Sequence, residues 1–390
     1  MKWLSRDVLL ISLSAFFADA GYQALIAGFP IFLVLYMKAP AYMLGVAMAL
    51  AYGIGSLFAY VGGKASDRYG KKRVALLGNL LIPILSFVGF AQSAGEAIAL
   101  FSGGWWARNF RTPARRAMLG DITDKKDKGK AYGFLNALDI GGGIVAITYL
   151  TIALALGMKI GSVFIYTAIP ILASSLCLAL VKYKGISKLK SAAASIASKA
   201  AGSAKRLSSE ARAYRAVIVA TGIYGLSFYS MSFPVLTIAQ KSGDIAGVAS
   251  YAVFLIISAI FGYAVGARIR KRVRGLALLG YALAAIGSIV LGASYAFSLG
   301  TIVSYLGMLV IGMAAGTIET LEPTIVSIAK KRQGSGSGMG ALTSSRSIGL
   351  FLANIIMGFM YAIGPMYAYS LSAILALTAA FVLLVSVRKD

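Results

Sequence analysis

The stretch GGKASDRYGKKRV, residues 62–74, closes one apolar run and opens the next. Read alone it is a tight turn, with Gly63 and Gly70 allowing close backbone approach. Its Lys64, Arg68, Lys71, Lys72 and Arg73 mark a loop held on the cytoplasmic side of a membrane. That reading leaves Asp67 over. One carboxylate among five cations is suited to latch a positive group or a helix N-terminus.

The chain around this loop is apolar enough to demand a bilayer. Of its 390 residues 59% are hydrophobic and 13% charged, and its mean hydropathy is +0.80, which leaves too little polar surface for a soluble globule. About 20 apolar residues cross the ~30 Å hydrocarbon layer. Twelve segments meet that length: 8–36, 41–63, 74–94, 97–117, 131–157, 160–181, 216–240, 245–267, 275–295, 298–329, 339–362 and 364–386. The run behind MKWLSRD exceeds the ~7–15 residues of a cleaved leader core and lacks a small-residue cleavage site, so the first crossing is expected to stay. Of the 38 Lys and Arg residues, 32 fall at the termini or in alternate loops, and only Lys38, Lys159 and Lys241 lie in the loops between. Both termini are therefore expected in the cytoplasm, with the chain crossing the plasma membrane many times. The same bias accounts for the net charge of +25 without nucleic acid, because it marks topology and anionic headgroups.

Histidine is absent and Cys177 is the only cysteine, which excludes an internal disulfide and argues against zinc or copper. Proton chemistry then falls to carboxylates. No metal or cofactor is expected, and no nucleotide-binding motif points to ATP.

Residues 182–215, KYKGISKLKSAAASIASKAAGSAKRLSSEARAYR, suit a cytoplasmic linker with an amphipathic helix on the membrane surface. They divide the chain into six-span halves, 1–181 and 216–390. The halves echo one another. GFPIFL at 28–33 answers SFPVLT at 232–237, ALLGNL at 75–80 answers ALLGYA at 277–282, and GKAYG at 129–133 answers GSGMG at 336–340. The offsets are 204, 202 and 207 residues, nearly constant, as for a duplicated six-helix unit.

With these features in view, residues 62–74 resemble the G-x-x-x-D-R-x-G-[RK]-[RK] signature between the second and third helices of the major facilitator superfamily, matched at Gly63, Asp67, Arg68, Gly70, Lys71 and Lys72. The resemblance covers the whole chain. It implies an all-α integral membrane fold of twelve transmembrane helices in two pseudo-symmetric six-helix bundles. It also implies that Asp67 and its basic neighbours lock the cytoplasmic face. The corresponding second-half stretch, GARIRKRVRG, has no acid. Gly141 to Gly143 resemble the glycine-rich motif of drug and proton antiporters, without its proline.

Charges inside the spans point to the working site, since an intramembrane guanidinium or carboxylate faces a partner or water. Arg108, Arg111 and Arg115 share one helical stripe of span 4; Arg115 and Arg116 are near enough to the cytoplasmic end to snorkel. Asp139 of span 5 lies at nearly the depth of Arg108, and Asp19 of span 1 lies about 16 Å in, near the midplane. The second half offers Glu319, Glu322 and Arg346. Two pairs are expected, Arg108 with Asp139 and Glu322 with Arg346, serving either as structural ion pairs or, with Arg111 as a further candidate, as a substrate site. Asp19 and Glu319 remain as spare acids and candidate proton carriers. Tyr22, Gln23, Trp105, Trp106, Tyr224 and Tyr229 could line a cavity or simply pack. The expected function is secondary active transport of a small organic solute by alternating access, as proton-coupled efflux by a monomer. Uptake or facilitated diffusion of an organic anion is the alternative. A non-transporting receptor or an intramembrane enzyme is the alternative of another class, and no catalytic motif supports it.

Overall fold

A computed structural model describes residues 3–124, 127–183, 219, 222–227, 229–268, 273–329 and 335–386. All of its long elements are helices, and twelve follow in chain order, as the resemblance implies. They are α1 (Arg6–Tyr36), α2 (Ala41–Tyr69), α3 (Lys71–Phe90), α4 (Ala94–Ile122), α5 (Lys128–Ala155) and α6 (Ile160–Leu180). Then come α7 (Ser232–Ser242), α8 (Asp244–Arg268), α9 (Val273–Ala296), α10 (Thr301–Ala329), α11 (Ser335–Ile363) and α12 (Pro365–Ser386). The linker expected at 182–215 lies, from 184 onward, outside the described residues.

Local chemistry sets the ends. Ser5 caps α1 by accepting the Val8 N–H at 3.3 Å, and Ser93 caps α4 by accepting the Glu96 N–H at 3.2 Å while the Glu96 carboxylate accepts the Gln92 N–H at 2.8 Å. Helix α2 runs to Tyr69 and α3 starts at Lys71, so the connection expected between 63 and 74 shrinks to Gly70. Gly70 has φ +95°, a conformation that suits glycine. Gly63 lies inside α2 with only Pro113 near its missing Cβ, whereas a Cβ on Gly62 would collide with the backbone of Phe110. The close helix contact in the signature is thus at Gly62, one residue earlier than the motif suggests.

Prolines interrupt two helices differently. Pro30 sits within α1, and the turn that follows, Phe32–Tyr36, is a π turn. Pro234 stands at the matching place in span 7, and there the helix breaks: residues 229–230 are not helical, and α7 restarts with the Ser232 N–H bonded to the Ser230 hydroxyl at 3.2 Å. A proline ring clashes with the carbonyl four residues before it, here that of Ser230. Span 7, expected as one helix over 216–240, is a short helical stretch at 222–227 followed by α7.

The chain forms two compact units. The first comprises Met1–Ile186 and Ser230–Leu255, the second the described residues of Ser187–Tyr229 and Ile256–Asp390. The first unit therefore takes in α7 and the start of α8, so the boundary falls inside α8 as well as at the linker. Its core at the basic-loop end joins Ile11 and Ala15 of α1 to Val74 of α3, Met118 and Leu119 of α4, Leu135 of α5 and Leu178 of α6. The second unit's core is built on Tyr224, Tyr281, Ile318, Leu321 and Leu383. Leu57, Tyr60, Phe87, Ile169, Phe359 and Phe381 are exposed, as lipid-facing positions require.

Among the described residues eleven helical spans are long and apolar enough to cross a membrane, and α4 is not one of them. It carries Glu96, Arg108, Arg111, Arg115, Arg116 and Asp121.

Candidate functional site

Helix α4 presents its arginines at i, i+3 and i+7, and each finds a different environment. Arg108, nearest the middle, lies over the ring of Trp105 at 4.9 Å and that of Tyr22 at 5.5 Å. Its Nε donates to the Tyr22 hydroxyl at 3.5 Å and its Nη1 to the Asn109 side chain at 3.3 Å. Two ring contacts contribute about 0.5–2 kcal/mol each, less than the several kcal/mol of effective penalty for withdrawing a cation from water. Among the described residues Arg108 has no carboxylate within ion-pair distance. The expected Arg108–Asp139 pair is not formed.

Asp139 instead accepts from Nη2 of Arg115 at 3.3 Å. The reason is side-chain direction. Cα–Cβ bonds lean toward a helix N-terminus, so Arg115 on α4 leans away from the basic-loop end while Asp139 on the antiparallel α5 leans toward it. They meet between their backbones. Arg115, expected to snorkel, is 2% exposed, whereas Arg116 is exposed.

Arg111 is fully buried. Its Nη1 donates to the Asn79 side-chain oxygen at 2.8 Å; Asn79 in turn donates to the hydroxyls of Ser175 at 2.8 Å and Ser174 at 3.2 Å, and Ser174 donates to the Ser14 carbonyl at 2.6 Å. Asn79 of α3 and the two serines of α6 were not among the expected residues. An asparagine inside an apolar run is the signal that marks them.

On α1, Asp19 is 5% exposed and takes its hydrogen bonds from its own helix: the Tyr22 hydroxyl donates to Oδ1 and the Gln23 amide to Oδ2 at 3.4 Å. No Lys or Arg among the described residues lies within ion-pair distance of it. Gln23 accepts from the Tyr251 hydroxyl of α8 at 3.1 Å, and Tyr52 packs edgewise on Trp105 at 5.0 Å. Asp19, Tyr22, Gln23, Arg108, Tyr52 and Tyr251 thus form one polar and aromatic group in the first unit. Trp106 belongs to packing: it stacks on Phe58 at 4.9 Å and donates to the Leu50 carbonyl at 2.8 Å.

At the basic-loop end Asp67 and Arg68 are exposed, and no hydrogen bond or ion pair of Asp67 is found among the described residues. The acid that bonds a lysine there is Asp121 of α4, which accepts from Lys71 at 2.6 Å and from the Tyr183 hydroxyl. Burial pushes the Asp121 carboxyl up, but the hydrogen bonds from Lys71 and Tyr183 with the charges of Lys71 and Lys128 outweigh it and hold the carboxyl below its ordinary value. Lys72 donates to the Ala179 carbonyl at 2.8 Å, at the C-terminal end of α6. Asp121 sits beside a run of lysines in the sequence, which disguises it as ordinary loop charge.

The second unit is plainer. Arg346 pairs with Glu319 at 3.2 Å, so Glu319 is not spare in this structure; the side chain of Glu322, its expected partner, lies outside the described residues. Tyr224 packs on Tyr281 with ring centres 5.0 Å apart, and Tyr229 shares a hydrogen bond with Ser288 at 3.0 Å. Both tyrosines are buried core.

The sequence pattern of the Major Facilitator Superfamily matches residues 11–353. No curated protein matches the chain. Among solved structures, a mutant of the nucleoside transporter NupG is similar over 98% of this chain and 100% of its own, with TM-score 0.80 at 12% identity. A POT family transporter in complex with 5-aminolevulinic acid covers 97% and 96%, with TM-score 0.77 at 11% identity. A bacterial homologue of the human lysosomal transporter Spinster, inward-facing and occupied, covers 100% and 98%, with TM-score 0.73 at 13% identity.

Proposed function

This chain belongs to the major facilitator superfamily and is a secondary membrane transporter, and we propose that it expels a small organic solute in exchange for protons, with Asp19 as the proton carrier. The observation that carries this reading is the setting of Asp19: a buried carboxylate in the span, bonded by a tyrosine and a glutamine and by no cation. A carrier must exist in both protonation states, and an ion pair would hold it in one. Glu319, bonded to Arg346, fits that role less well. The outward direction rests on the resemblance of Gly141 to Gly143 on α5 to the glycine-rich motif of drug and proton antiporters, whose proline this chain lacks. The halves 1–181 and 216–390 are taken as the bodies that alternate access, joined by 182–215, with both termini in the cytoplasm. Lys71 and Lys72, with Asp67, Arg68, Gly63 and Gly70 around them, form its cytoplasmic gate.

A second reading, transport of an organic anion, has its own support in Arg108, whose guanidinium stands among Tyr22, Trp105 and Asn109 without a carboxylate. One experiment addresses both. In proteoliposomes with an internal pH dye, a panel of organic cations and carboxylates is offered across an imposed pH gradient. Solute-dependent proton movement is expected in the wild type. Asp19→Asn should abolish gradient-driven transport and retain solute exchange, while Glu319→Gln keeps both. Full gradient-driven transport by Asp19→Asn would remove the carrier role, and a response to carboxylates alone selects the second reading.

A further inference from the structure

The arginines that transport chemistry does not use hold more donors than the protein answers. Arg111 is 0% and Arg115 2% exposed. Each makes one hydrogen bond to a side chain, Arg111 to Asn79 and Arg115 to Asp139. The remaining buried donors, Nε and Nη2 of Arg111 with Nε and Nη1 of Arg115, have no acceptor among the described residues. The two residues are one turn apart on α4, so they leave one face of the helix as neighbours at Cβ, and the Arg115 charge acts on Arg111.

Charge makes the same point independently. Between the loops of the first unit, Arg108, Arg111 and Arg115 face Asp19 and Asp139, one cation in excess; protonation of Asp19 makes the excess two. Asn79 and the serines behind it are neutral. Buried water can accept from an N–H group but leaves the charge sum where it was, and in a medium of low dielectric that sum governs.

We propose that Arg111 and Arg115 form a buried site for one small inorganic anion of halide size. The ion accepts from the Nε–Nη2 edge of Arg111 and from one of the two unanswered nitrogens of Arg115, and neutralises the α4 stripe from within. Burial of both side chains excludes a bulky organic anion, so the ligand is a free ion and the site is separate from the solute site near Arg108. The proposal stands whether or not Asp19 carries protons.

The test is thermal denaturation of the full-length protein, purified in chloride-free gluconate buffer, with sodium chloride or bromide titrated at constant ionic strength. A saturable rise of a few degrees with either halide is expected, since a ligand bound only by the folded state stabilises it. Asn79→Asp places a fixed carboxylate opposite Arg111 Nη1, and the serine hydroxyls can turn to donate to it; this variant should denature at a halide-independent temperature. A second measurement needs no variant: crystals grown with bromide should show its anomalous signal between the two guanidinium groups. A halide-independent wild type, a halide response that survives Asn79→Asp, or stabilisation by acetate in place of halide would each overturn the proposal, as would bromide located only elsewhere.

Discussion

Asn79 and Tyr281 hold matching places in ALLGNL and ALLGYA, yet one anchors a buried arginine and the other packs on Tyr224. The charged pairs differ in the same sense. Arg115 and Asp139 have side-chain exposures of 3% and 20%, whereas Arg346 and Glu319 have 23% and 54%. The two matching stretches of sequence therefore differ in their electrostatics. Where side chains are half in water, solvent answers each charge and the partner matters little. Where they are buried, each charge requires a specific acceptor, and the sequence around it is constrained accordingly.

The sharpest way to break this contrast is at Arg115. Arg115→Ala strips the partly exposed Asp139 of its partner and should lower stability by about 1–3 kcal/mol, between the scales for exposed and buried pairs. Adding Asp139→Ala should restore part of the loss, giving a coupling above about 1 kcal/mol in a double-mutant cycle on thermal stability. The same cycle on Arg108 and Asp139 should be nearly additive. Additivity at Arg115 as well would mean that the buried pair is no stronger than a surface one.

A smaller effect is expected at Asp121, which is a quarter exposed or less. Asp121→Asn should cost about 1 kcal/mol near neutral pH, the usual scale for a charge-assisted contact at partial burial. Its folded carboxyl titrates below the ordinary value of 3.8, so the contribution is complete above that pH and is lost as pH falls beneath it. Wild type and variant should therefore converge in acid. Parallel stability curves down through that range would deny the Lys71–Asp121 contact its electrostatic role.

The smallest change belongs to the second unit. Glu319→Gln with Arg346→Gln should show a coupling of about 0–1 kcal/mol. A value equal to that of Arg115 with Asp139 would restore the symmetry that the sequence suggested.

The helices and the arginine stripe of α4 were legible because apolar length and 3.6-residue spacing are local properties. The pairing was not. Depth counted along Cα positions put Arg108 level with Asp139, and only the opposed lean of side chains on antiparallel helices brings Arg115 there instead. The turn was expected between 63 and 74 because only the apolar runs were counted as spans, whereas Lys, Arg and Ser extend both helices up to Gly70. Asn79 and Ser174 were passed over because an uncharged polar residue in an apolar run gives a weak signal until its partner is known. Asp67 shows the reverse: its motif is specific, yet in this structure it stands exposed and Asp121 holds the lysine.

Helix α4 also constrains how the protein is made. Each arginine near the middle of a helix adds about 2.5–3.5 kcal/mol to the free energy of insertion from the translocon, and α4 carries Arg108, Arg111 and Arg115. Its apolar residues do not offset three such terms, so it cannot partition into lipid as an independent segment. Asn79 precedes it from the ribosome and Asp139 follows about a helix later. Retention of α4 in the bilayer is therefore expected to depend on the polar partners that α3 and α5 bring to it, Asn79 and Asp139.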